Sequence, residues 1–235
     1  MKVEICPTAG EVARRGAALL AGLLARDRPT VMALPTGRTP VAMYAELAAL
    51  RKARKVDFSK ATVFNLDEVL LPNHHPQTFF QFMTRHVWQP LGVPPERRFI
   101  PDGGTADPEG ECARYEESIG RAGGFDIAIL GIGSDGHVAY NLPRQIAPRT
   151  HIVTLDRATI ATLDPTIDFE VRAITMGIDT IREARSLILL ATGASKAEAL
   201  RRMRDDPPSQ DWPCTFLRGG VEVLVVADKA AAAQL

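Results

Sequence analysis

The chain alternates short, almost wholly apolar runs with segments whose apolar residues recur at helical spacing. "PTVMALP", "ATVFNLDE", "FDIAILGIG", "SLILLATG" and "VEVLVVAD" are short, continuously apolar and bounded by proline, glycine or acidic residues. Strands buried on both faces have this look. Between them, "GEVARRGAALLAGLLARD", "TPVAMYAELAALRKARK", "DPEGECARYEESIGRAGG" and "ASKAEALRRMRDD" place apolar residues every three or four positions. Strands that alternate with helices imply a doubly wound, mostly parallel α/β sheet covered by helices on both faces. "RTHIVTLD" and "AITMG" are read as further strands.

Capping residues mark several helix starts. Thr39 is the expected N-cap of the second helix, with Pro40 at its first position, and Asp107 caps the helix after it. "QTFFQFMTRHVWQPL" is expected to be helical until Pro90, with Phe79, Phe80, Phe82 and Met83 in the core. No linker interrupts residues 1–235, so one domain is expected. The least regular part, about 142–169, carries several prolines and is read as a loop or lid.

Charge excludes some partners. The 28 basic and 28 acidic residues cancel, which removes the electrostatic case for nucleic acid or an anionic membrane surface. An anionic ligand must therefore be met locally. Cys6, Cys112 and Cys214 are too few and too scattered for a disulfide framework or a zinc cluster. Without a signal-like leader or a run of roughly 20 apolar residues, a cytoplasmic protein is expected. The adjacent His74 and His75 lack a spaced third ligand and are read as loop residues, so no metal is expected.

Each of the four candidate chemical motifs lies just after a strand. In "LPTGRTP", Thr36, Gly37, Arg38 and Thr39 form a strand-to-helix turn that offers free N–H groups, hydroxyls and a guanidinium, which suits phosphate. In "FNLDEVLLP", Asp67 and Glu68 are neighbours and point opposite ways, so at most one faces a ligand while the other caps or pairs. In "GIGSDGH", Asp135 stands two residues from His137, where a carboxylate can orient an imidazole for proton transfer. In "ATGASKAEALRR", Lys196 occupies a helix start, which is unfavourable for a cation unless an anion binds there.

In order along the chain, "LPTGRTPVAMY", "FNLDEVLLP", "FDIAILGIGSDGHVAYNLP", "RTHIVTLD", "AITMGIDTIREARSLILLATGASKAEAL" and "VEVLVVAD" resemble the superfamily of glucosamine-6-phosphate deaminases/isomerases and 6-phosphogluconolactonases. The resemblance implies a Rossmann-like fold acting on a sugar phosphate without a cofactor, and it leaves assembly into a homo-oligomer open. The deaminase branch implies ring opening, a proton moved between C2 and C1, and release of ammonia, an activity grouped with the hydrolases. By that resemblance Asp67 is the enolisation base, His137 opens the ring with Asp135 as its orienting partner, and Thr36, Gly37, Arg38, Thr39 and Lys196 hold phosphate. Arg172 stands in for a substrate arginine that "ATIATLDPTI" lacks.

Leu142 departs from the deaminase pattern, which has a glutamate there, and matches the apolar lactonase pattern. Deaminase/isomerase is therefore the first reading and lactone hydrolysis the second. A sugar-phosphate-binding regulator that has lost turnover is the third. On the first reading, Leu142→Glu is expected to raise deaminase activity.

Overall fold

Side chains alternate strictly across the central strands, and that alternation builds the core. The computed structural model describes residues 1–25, 28–72 and 75–235, so His74 lies outside the described residues. Its main sheet has the spatial order β1 (Lys2–Cys6), β10 (Val223–Asp228), β9 (Leu187–Ala191), β6 (Ile127–Leu130), β2 (Thr30–Leu34), β3 (Ala61–Asn65), β5 (Arg98–Phe99), with every neighbouring pair parallel. Ile127 and Ile129 face one apolar layer and Ala128 and Leu130 the other; Ile188 and Leu190 oppose Leu187 and Leu189 in the same way. Both faces are thus covered, as the continuous apolar runs require.

On one face α1 (Ala9–Leu24) and α2 (Arg38–Lys52) bury Val12, Leu20, Met43, Tyr44 and Leu47. The same layer receives α3 (Phe79–Met83) and α4 (Gln89–Leu91), joined by a π-helical turn, Thr84–Trp88. The helix expected to stop at Pro90 therefore loosens earlier and continues past the proline. Phe79 and Met83 are buried, but Phe80 is exposed, contrary to its expected core position. The opposite face carries α5 (Pro108–Arg121), α7 (Ile178–Arg182) and α8 (Ala197–Asp205), whose buried residues include Tyr115, Ile119, Ile181, Leu200 and Met203. Asp107 caps α5 as expected, accepting from the Gly110 N–H at 3.0 Å.

A second, antiparallel sheet, β4 (Asp67–Val69), β8 (Arg172–Thr175) and β7 (His151–Thr154), takes the strands read from "RTHIVTLD" and "AITMG". Four-residue apolar runs look alike in parallel and antiparallel sheets, so their sequence did not separate them from the main sheet. β1 and β5 were not foreseen, because edge strands lack a continuous apolar run. The segment 142–169, read as irregular, carries β7 and α6 (Arg157–Leu163). Val153, Leu155, Ile160 and Ile167 bury it against the small sheet. No helix among the described residues is long and apolar enough to cross a membrane.

Chain order reverses between β2 and β6: β2, β3 and β5 run to one edge, while β6, β9 and β10 run toward the other. In open parallel sheets, ligands collect at the C-terminal ends of the strands beside such a reversal. The turns after β3, β2, β6 and β9 stand there side by side, and each carries one of the four motifs.

Candidate active site

The turn after β2 is held from below, where buried Tyr44 donates its hydroxyl to the Pro35 carbonyl at 2.6 Å. α2 begins at Arg38, with Gly37 as its cap residue at φ 108, a backbone conformation that favours glycine. Thr39 is therefore inside the helix rather than its N-cap, and no side chain satisfies the first N–H groups of α2. Freed from capping, the Thr39 hydroxyl pairs with that of Thr192 at 3.1 Å and ties this turn to the one after β9. Asp228, at the end of β10, fixes the second turn by accepting from the Gly193 N–H at 3.1 Å. Lys196 follows, at a helix start that again lacks a side-chain cap.

Two uncapped helix starts thus converge with two cations. Burial lowers the Lys196 pKa, Asp135 opposes that shift and Arg38 adds to it by repulsion. A dianion seated there would accept the free N–H groups and relieve the repulsion between the cations. Thr36 and Thr39 are half-buried, and Gly37 and Arg38 are exposed at the same mouth.

After β6 the chain makes a turn in which Gly133 N–H donates to the His137 carbonyl at 2.9 Å. The His137 Nδ1 lies 2.7 Å from Asp135 Oδ1. That contact is off the hydrogen-bonding direction of the ring, so it is mainly electrostatic. Burial works against the Asp135 charge, but the His137 contacts outweigh it and hold the carboxyl below its ordinary range. Any Cβ at Gly133 would collide with both side chains, so glycine is what allows the pair to fold back over the turn.

The adjacent carboxylates divide their tasks as the opposite-facing geometry predicts. Glu68 accepts from the N–H groups of Phe79 and Phe80, each at 2.7 Å, and of Val69 at 2.8 Å, and so caps α3. Asp67 is 5 % exposed, and among the described residues its Oδ1 has no hydrogen-bond partner. Burial, and secondarily the Glu68 charge, push its pKa from 3.8 to about 8. A buried carboxylate oxygen without a donor costs stability, and such groups concentrate at reactive sites.

Asp67 pairs in register with Thr175 of β8, and the Thr175 hydroxyl accepts the Tyr140 N–H at 3.0 Å. Asn141 anchors the same loop by donating to the carbonyls of Val138 at 3.0 Å and Met176 at 2.8 Å. These bonds hold the loop that follows the Asp135–His137 turn against the strand opposite Asp67. Motif reading passed over Thr192, Thr175 and Asn141; the polar Asn141 inside "AYNLP" was the available signal.

Arg172 is not drawn into this cluster. It is exposed at the far end of β8, three residues from Thr175, or about 10 Å along an extended strand. His75 accepts from the Gln77 N–H at 3.3 Å within its loop, and among the described residues no three metal-ligating side chains converge. Leu142 is 6 % exposed and belongs to the apolar cluster containing Val69, Phe79, Val153 and Ala173. The gain of activity expected from Leu142→Glu is therefore revised. A carboxylate there would be buried among apolar groups, and the variant should lose about 3 kcal/mol of stability with no gain in turnover. Denaturant unfolding beside an activity assay checks this; a wild-type midpoint would show that the side chain escapes the cluster.

The doubly wound sheet, the two uncapped helix starts with their cations and the buried acid define an α/β protein whose strand ends suit a small anionic ligand. Residues 7–226 match the family described as "Glucosamine-6-phosphate isomerases/6-phosphogluconolactonase", and the chain belongs to it. A glucosamine-6-phosphate deaminase of Halothermothrix orenii is 39% identical over 241 residues, covering 100% of both chains. A solved monomeric glucosamine-6-phosphate deaminase superposes with TM-score 0.94 at 36% identity, over 100% of each chain. The 6-phosphogluconolactonase of Thermotoga maritima shares the fold, with TM-score 0.78 and 23% identity over 97% of this chain and 99% of that one. Of these, the deaminases are the more similar.

Proposed function

We propose that this protein converts glucosamine 6-phosphate to the ketose phosphate with release of ammonia. One observation carries the choice between the branches. Asp67 is a buried, unpartnered carboxylate at the crevice, raised to a pKa of about 8, as a base that exchanges a carbon-bound proton near neutral pH should be. Lactone hydrolysis needs an activated water and has no use for such a base. Leu142 favours the lactonase reading at one position, but that side chain is packed in the small-sheet core.

In this reading the phosphate sits on the helix starts at Gly37–Thr39 and Gly193–Lys196, between Arg38 and Lys196. His137, oriented by Asp135, takes the proton of the anomeric hydroxyl and returns one to the ring oxygen as the ring C–O bond breaks. Asp67 removes the C2 proton, the electron pair moves toward the C1 oxygen, and that oxygen takes a proton from the C2 ammonium, which gives the enolamine. The proton returns to C1, which leaves an imine at C2 that water hydrolyses to ketone and ammonia. The overall chemistry is isomerisation coupled to deamination, so "hydrolase" describes only its last step. Arg172 would contact substrate only if its side chain reached across from the far end of β8. A cytoplasmic setting suits such small-molecule metabolism.

The test is to incubate the pure protein separately with glucosamine 6-phosphate and 6-phosphogluconolactone and to measure ammonia and lactone loss. Ammonia is expected; lactone loss alone would reverse the assignment, and activity on neither would favour the binding-only regulator. Lys196→Ala should raise KM for the phosphorylated sugar at least about tenfold and change kcat little, because a charge-assisted contact to phosphate is made in ground and transition states alike. An unchanged KM would remove Lys196 from the phosphate site.

A further inference from the structure

Tyr140 stands beside the proposed carbon base and has no assigned task. Its backbone N–H is bonded to Thr175, the residue in register with Asp67. Its ring stacks on Phe79, with centroids 5.7 Å apart and planes at 29°, and the Phe79 N–H is in turn held by Glu68. The side chain is half-buried, and its hydroxyl makes no hydrogen bond among the described residues. The buried Asp67 Oδ1 likewise has none among the described residues, and the Asp67 charge is near enough to act on the phenol. Tyr140 and Leu142 pack against the same apolar cluster, so a polar atom missing at 142 is available from the same loop at 140.

We propose that Tyr140 is a positioning residue for Asp67: its phenolic O–H donates through one bound water to the unpartnered Oδ1 and holds the ionised carboxylate aimed at the substrate. This deepens, and rests on, the reading of Asp67 as the carbon base. A donor to the charged form favours that form, so the phenol moderates the protonation that burial imposes. The ionisable groups bearing on Asp67 are Glu68 on its own strand, Tyr115 from α5 and Tyr140 from this loop. Tyr115 is already committed, donating to the Asn65 carbonyl at 2.7 Å. Among the described residues no cation bears on Asp67, which leaves a hydrogen-bond donor as the means of stabilising the charge. Burial, and after it the Asp67 and Glu68 charges, push the Tyr140 phenol above its ordinary range, so it remains a donor.

Tyr140→Phe removes one oxygen and keeps the ring on Phe79. The Asp67 carboxyl is followed by carbon-13 NMR in aspartate-labelled protein, with Asp67→Asn identifying its resonance. Its titration midpoint is expected to rise by about half a pH unit or more in Tyr140→Phe, a roughly threefold change in the protonation equilibrium. Equal midpoints in the two proteins overturn the proposal. The acid limb of kcat/KM for ammonia release should move with the NMR midpoint, with KM changed less than about threefold; a purely structural tyrosine would move neither. The titration alone decides the role of Tyr140. A wild-type protein that releases no ammonia, or an acid limb that ignores the titration, would instead overturn the reading of Asp67 as the base.

Discussion

Asp67→Asn should release ammonia from glucosamine 6-phosphate at least about 10³-fold more slowly than wild type, and it should also be the more heat-stable protein at alkaline pH. Both effects come from one feature, a carboxyl buried without a partner and raised to a pKa of about 8. In the unfolded chain the same group titrates near 3.8. Between these values the folded state binds more protons than the unfolded state, so stability falls as pH rises through that window. Asparagine carries no charge and removes this dependence. The expected signature is a Tm several degrees above wild type at pH 9 and nearly equal at pH 4, read by calorimetry. The same ionisation should place the acid limb of wild-type kcat/KM close to pH 8 in the free enzyme. A variant that keeps wild-type turnover, or a Tm difference that does not grow with pH, would mean that Asp67 is neither the base nor a buried charge.

His137→Asn is expected to lower kcat by about 10² to 10⁴, while affinity for inorganic phosphate stays within about tenfold. The imidazole lies 2.7 Å from Asp135, whereas the proposed anion site is built from other groups, Arg38, Lys196 and two helix starts. Loss of binding and turnover together would place His137 in the anion site instead. Substrate already in its open-chain form should recover part of the lost rate, because the proposed mechanism assigns ring opening to His137 and the carbon acid to Asp67. Stopped-flow kinetics with the substrate trapped in that form would separate the two steps.

Much of the candidate site was legible because each motif occupies a strand end. The glycine turn at "LPTGRTP" and the lysine at "ATGASK" foretold two helix starts that invite an anion. The opposite-facing rule for neighbouring residues foretold that Asp67 and Glu68 would part, and Glu68 indeed caps α3. Thr39 was misread as a cap because threonine before proline fits a helix start equally well, and only its partner Thr192, 153 residues away in sequence, shows what its hydroxyl does. Leu142 was read beside His137 in sequence, but the turn through Tyr140 and Asn141 carries it into the apolar cluster beneath β4.

By itself the sequence determined a parallel α/β sheet and the residues at its strand ends, because hydrophobic periodicity and turn chemistry are local properties of the chain. Only the tertiary structure decided which of those residues share a crevice. It split the small antiparallel sheet from the main one, left the Asp67 oxygen without a donor and set Tyr140 beside it. Desolvation and electrostatic coupling depend on neighbours far apart in sequence, and no local pattern encodes them.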